Sequence, residues 1–303
     1  MYNINAMKIN TKNIVLFATL LFLSSALSAQ INPLGSQFFQ NKYLANAAMA
    51  GNEQGLNVNF GYRDQWSKIQ GAPRTTSATA EYRADRVGLG LNFYKEQAGL
   101  LNNNSFKGTF AYHLPVGSDQ QELHFGLSLG LNKLQINYQD IIADPNDPAA
   151  QAFNDRPSVV DGDFGFAYTN NKLTVEGAVS NIKNQLQADT KNTVDYNTFY
   201  SAVSYQFEFT EWKMAPKVSY RGIKNYTNIL DLAVELKTLS EDFGAIGMYH
   251  SNNSLSLGVS YEHKKLWEIM SFYNTPAKDV SNYTNGAFEL ALRVHIPNAK
   301  KTK

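Results

Sequence analysis

From Leu56 to Ile296 the chain alternates apolar and polar positions with a period of two. The clearest run sets Leu123, Phe125, Leu127, Leu129 and Leu131 against His124, Gly126, Ser128, Gly130 and Asn132. Successive side chains of a strand point to opposite faces, so this run predicts a β-strand with one apolar face. Val87, Leu89, Leu91 and Phe93 repeat the pattern, as do Leu230 to Leu236, Leu255 to Tyr261, and Phe288 to Ile296. Strands are predicted to begin near Leu56, Arg74, Arg86, Ser105, Gln121, Asp161, Lys172, Thr198, Glu211, Asn228, Asp242, Ser254, Lys265 and Asn285. Most of them run about nine to eleven residues, the length of a tilted strand that crosses a bilayer. Strands of soluble proteins average about five or six. Residues 243–249 and 267–270 alternate poorly.

The connections carry a second pattern. From the first strand on, every second one is short: residues 83–85, 115–120, 170–171, 210, 238–241 and 263–264. Those between are longer, at 64–73, 95–104, 135–160, 181–197, 222–227 and 274–284, with 251–253 as a short exception. Outer-membrane barrels have short periplasmic turns and longer external loops. Aromatic residues near strand ends, such as Tyr94, Tyr112, Trp212, Tyr249 and Tyr273, suit interfacial girdles. The expected fold is therefore all-β: a transmembrane antiparallel β-barrel of about fourteen strands with a short N-terminal periplasmic segment. A secreted sandwich or propeller would share the alternation, but not the strand length or the loop phase.

The first residues change the picture by giving the chain an address. Lys8 and Lys12 precede an apolar run at residues 14–23 and small residues up to Ala29. That is a secretory signal, too short for a membrane-spanning helix of about twenty residues. The expected division is a signal peptide at 1–29, a periplasmic segment at 30–55, the barrel at 56–297 and a tail at 298–303. The expected location is the cell outer membrane.

Composition mainly excludes. Charged residues make up 17% and the formal net charge is +1, so no nucleic-acid partner is expected. There is no cysteine, which removes disulfides, thiolate metal sites and a cysteine nucleophile. His113, His124, His250, His263 and His295 are scattered with no His-x-x-x-His pair, and no Gly-x-Ser-x-Gly elbow appears. No enzyme activity, metal or cofactor is expected. The loop at 135–160 holds Asp140, Asp144, Asp147 and Asp155, but without EF-hand spacing.

Several stretches resemble a known family. Asn32-Pro33, Ser36-Gln37-Phe38, Asn41, Asn46 and Ala50-Gly51 form one, with Ala47 where the family has proline. Tyr62-Arg63-Asp64-Gln65-Trp66 followed by Gly71-Ala72-Pro73 is the most specific. Val87-Gly88-Leu89-Gly90, Phe125-Gly126-Leu127-Ser128 and Asp163-Phe164-Gly165-Phe166 continue it. Together they resemble the PorP/SprF family of the Bacteroidetes type IX secretion system. The resemblance implies a role in secretion or gliding motility, in which the barrel helps export or anchor a surface protein such as an adhesin. It also implies periplasmic, peptidoglycan-linked components of the machine as partners, beside outer-membrane lipid. An outer-membrane porin or small-solute channel is the alternative function.

Two sets of residues stand out. Parity turns Arg63 and Gln65 into the lumen and sets Trp66 at the outer rim; with Phe38, Phe39 and Tyr43 of the opening segment they form a candidate partner-binding surface. The apolar face of that segment is expected to pack in the barrel mouth or against a periplasmic partner. Parity also places Lys213, Lys217 and Arg221 on the inner face of one strand and Asp231 and Glu235 on that of the next, where opposite charges pair across strands. Paired charges predict a narrowed lumen with little conductance.

Overall fold

A computed structural model describes residues 35–117, 120–137, 148–183, 199–222, 228–278 and 281–298. The wall consists of β1 (Gly55–Gln65), β2 (Arg74–Ala84), β3 (Val87–Ala98), β4 (Leu101–Pro115), β5 (Glu122–Ile136), β6 (Val159–Thr169), β7 (Leu173–Val179), β8 (Phe199–Tyr205), β9 (Phe207–Glu208), β10 (Trp212–Gly222), β11 (Ile229–Thr238), β12 (Phe243–His250), β13 (Ser254–His263), β14 (Trp267–Asn274) and β15 (Ala287–Ile296). Neighbours in this order pair antiparallel, and β15 pairs with β1 to close the sheet. β8 and the two-residue β9 both lie against β10, so they are one stave interrupted at Gln206, and the closed barrel has fourteen. Closure leaves no sheet edge, which hydrocarbon requires because it offers unpaired backbone groups no partner. Among the described residues no helix is long and apolar enough to cross a membrane.

The alternation resolves into two environments. On β5, Leu127 and Leu129 are 60% and 67% exposed, whereas Ser128 between them is 8% exposed. The exposed face is apolar around the barrel, through Phe60, Leu91, Phe110, Val218, Leu232, Leu257 and Phe288. Such a surface is stable against lipid. Aromatic residues gather at its margins; at the short-turn end Phe209 and Trp212 stack with ring centroids 4.1 Å apart.

Two expectations about connections are corrected. The loop expected at residues 95–104 is instead a tight turn at Gly99 and Leu100, because Lys95, Glu96, Gln97 and Ala98 pair with Asn104, Asn103, Asn102 and Leu101. Polar residues on both faces hide this ladder from any alternation, and Gly99, at φ 57°, supplies the reversal. Within residues 135–160, Pro148–Asn154 forms a short helix rather than plain loop. The Asn154 amide clamps the end of β5, accepting from Ile136 N at 2.7 Å and donating to its carbonyl at 2.9 Å.

Candidate functional site

The opening segment does not lie at the periplasmic end. Residues 35–51 run inside the barrel as three 3-10 turns, Gln37–Phe39, Lys42–Leu44 and Ala47–Met49, with Phe38, Phe39, Tyr43 and Met49 buried. Along β1–β6 the inner wall is thinned to glycine to receive it. A Cβ at Gly61 would collide with the Gln37 amide, at Gly88 with the Ala50 carbonyl, at Gly126 with the Ala47 carbonyl, and at Gly165 with Asn46. At Gly90 it would stand 2.6 Å from the Tyr43 ring. Ordering each residue of such a segment costs about 1–2 kcal/mol. Burying Phe38 and Phe39 returns roughly 1.5–3 kcal/mol each, so polar contacts must hold the rest. They run the length of the plug. Ser36 N donates to the Glu289 carboxylate at 2.9 Å, Asn41 Nδ2 to Thr79 at 2.9 Å, and Gly51 N to Glu81 at 2.7 Å. The Tyr43 hydroxyl bonds that of Thr109 at 2.6 Å; its loss of water raises its pKa well above the usual tyrosine range, so it stays neutral.

Across the lumen the contacts are apolar and ionic. Phe39 packs on Ile246, Met248, Met270, Phe272 and Ala291. Phe38 meets the edge of Tyr200 and packs with Ala178 and Ala202. Lys217 Nζ stands 5.5 and 5.3 Å from the Phe38 and Phe39 ring centroids, and the Arg221 guanidinium 5.0 Å from that of Phe38, within cation–π reach. The plug thus touches staves on all sides of the lumen.

A sequence family described as type IX secretion system membrane protein PorP/SprF matches residues 27–294 of this chain. The chain belongs to that family. No curated protein matches it. Among solved structures, the Ralstonia pickettii toluene transporter TbuX superposes with a TM-score of 0.51 at 12% identity, over 84% of this chain and 92% of that one. The Acinetobacter baumannii outer membrane protein Omp33 superposes at 0.49 and 9% identity, over 81% and 100%. The first shows the fold, a closed outer-membrane barrel. This PorP/SprF protein resides in the outer membrane, so the short turns face the periplasm and the long connections face outward.

The candidate partner-binding residues are not a free surface in this PorP/SprF barrel. Phe38, Phe39 and Tyr43 are inside the plug. Arg63 is buried on the inner wall, with Nε 3.3 Å from Glu289. Gln65 is buried beside it, and Trp66, with φ 51°, leaves the strand so that parity no longer applies. Glycines at regular inner positions were the sequence signal for an internal plug, since a wall with no side chains leaves room for backbone. Of the charges expected to pair between β10 and β11, Arg221 and Asp231 meet at 2.8 Å, joined by His250 at 2.6 Å. Lys217 turns to Glu176 at 3.5 Å, Lys213 to Glu208 and Glu241, and Glu235 to Lys237. Lys217 and Lys213 find carboxylates on elements other than β11, which strand parity does not reveal.

His113, Glu122 and His124 lie close enough to share an ion. Hydrogen bonds account for all three. The Thr169 hydroxyl donates to His124 Nε2 at 2.7 Å, the facing Nδ1 atoms share a proton at 2.6 Å, and His113 Nε2 donates to the Ala50 carbonyl at 3.1 Å. Glu122 is held by both terminal nitrogens of Arg83. The group is a strut from wall to plug. Of the aspartates near the long loop, Asp163 is taken by Lys107 at 2.8 Å, whereas Asp140, Asp144 and Asp147 lie outside the described residues.

Below the plug, toward the short turns, opens a polar cavity of about 740 Å³. Gln40, Lys42 and Tyr43 of the plug border it, and Asn170, Lys172 and Lys265 of the turns mark its rim. It is a vestibule that faces the periplasm and ends on the plug.

Proposed function

We propose that this protein is a closed docking barrel of type IX secretion, which helps export or anchor a secreted surface protein such as an adhesin, and which meets periplasmic, peptidoglycan-linked components of the machine through its short-turn face. It performs no chemistry of its own. The observation that carries this reading is the plug: a solute channel needs a wet path, and here residues 35–51 occupy the lumen. The vestibule offers a partner a recess on the side from which secretion clients arrive. Affinity purification from outer membranes tests it. Recovery of secretion components together with a surface protein is the expected result. Recovery of the barrel alone, with large steady currents in planar bilayers, would replace it with a porin.

A further inference from the structure

The vestibule is electrically uneven. On its β11–β14 side, Lys237 Nζ stands 3.2 Å from Glu268, 3.7 Å from Glu235 and 3.8 Å from Glu262. Lys237 is the ammonium shared by all three; Arg293, which faces Glu268 across β14 and β15 and lines the same cavity, is bonded to Glu53, and the Gln40 amide that also reaches Glu235 brings no charge. Glu268 is only 2% exposed and borders the vestibule, yet its Oε2 has no hydrogen-bond partner among the described residues. An unmet buried acceptor costs about 1–3 kcal/mol, and more when charged. With Glu53 counted beside Glu235, Glu262 and Glu268, four carboxylates at this pole face the two cations Lys237 and Arg293.

We infer that the pole receives a lysine or arginine side chain from a periplasmic polypeptide segment that enters the vestibule. The inference rests on the docking reading and names the chemistry its partner presents. A basic side chain supplies several N–H donors on a long apolar stem. The donors would meet Glu268 and Glu262, and Leu266 in the same lining would border the stem. Calcium suits the place less well, because it takes six to eight oxygens and would sit against the Lys237 ammonium. The cavity, at about 740 Å³, also holds far more than an ion.

Isothermal titration of the purified full-length barrel in detergent tests this with an acetylated Gly-Lys-Gly-Lys-Gly amide. Its counterpart with norleucine in place of lysine is the control. The lysine peptide should bind and the norleucine peptide should not. Glu262→Gln with Glu268→Gln should weaken binding at least tenfold, while Lys133→Gln, at the far end of β5, should leave it unchanged. Equal binding by the double variant, equal binding of the norleucine peptide, or no binding of the lysine peptide would each overturn the inference. So would calcium binding that the double variant abolishes, which would make the pole a metal site. If Glu268→Gln no longer gives heat-modifiable migration, Glu235→Gln with Glu262→Gln takes its place under the same criteria. Because the purified barrel is measured alone, a failed titration with secretion components still co-purifying removes the basic side chain and leaves the docking role standing.

Discussion

The two halves of the wall meet the plug in opposite ways. Along β1–β6 the inner face carries Gly61, Gly88, Gly90, Gly126 and Gly165 among its polar side chains, and at these positions the plug lies directly on wall backbone. Along β11–β15 the inner face is built up with Ile246, Met248, Met270 and Phe272, which close around Phe39. The first half keeps a clean alternation because glycine and serine alternate with the lipid-facing leucines. In the second half β12 and β14 lose it because both of their faces are apolar, one toward lipid and one toward the plug. Weak periodicity at residues 243–249 and 267–270 therefore marks a strand with two dry faces.

The comparison breaks most visibly if the plug is removed. Deleting residues 37–49 should leave a barrel that still shows heat-modifiable migration and should convert a non-conducting protein into one with steady open currents in planar bilayers. A deleted barrel that stays closed would show that the wall charges alone shut the lumen. Next in size is the apolar half. Phe39→Ala empties the space between five wall side chains and should lower unfolding free energy by about 3–5 kcal/mol, read from denaturant unfolding in lipid vesicles. The glycine half answers through overpacking. Gly126→Val places new atoms against Ala47 and should cost about 1–3 kcal/mol. Gly247→Val, where a Cβ meets nothing within 4 Å, should cost almost nothing by the same measurement.

A small and pH-dependent effect lies at the periplasmic turns. Burial pushes the Glu241 carboxyl up, but the Lys213 ammonium bonded to it, with Lys265 beside it, outweighs this and holds its pKa below the usual glutamate value. A lowered carboxyl stabilises the fold above its unfolded value, and that contribution is lost as pH falls through the folded one. Glu241→Gln should therefore cost under about 1 kcal/mol at neutral pH, since the site is partly exposed. The difference from the unaltered protein should vanish once pH falls below the lowered folded value. A gap that persists in acid would assign it to packing.

The sequence by itself determined the wall. A closed barrel must face lipid along every stave, and that requirement writes a period of two into the chain, from Leu56 on β1 to Ile296 on β15. The phase of short and long connections, and the family of the Tyr62–Trp66 and Gly71–Pro73 stretches, were legible for the same local reason: they reside in contiguous residues. Contiguity failed where polar residues cover both faces, as in the ladder from Lys95 to Asn104. It failed again at the site. That Phe38, Phe39 and Tyr43 turn inward, that Lys217 finds Glu176 and that Lys237 gathers Glu235, Glu262 and Glu268 were decided only by the tertiary structure. Most of these contacts join residues on different staves or plug to wall, at distances that depend on how the barrel closes. Parity states which face a side chain takes, and only the closed barrel states what stands opposite.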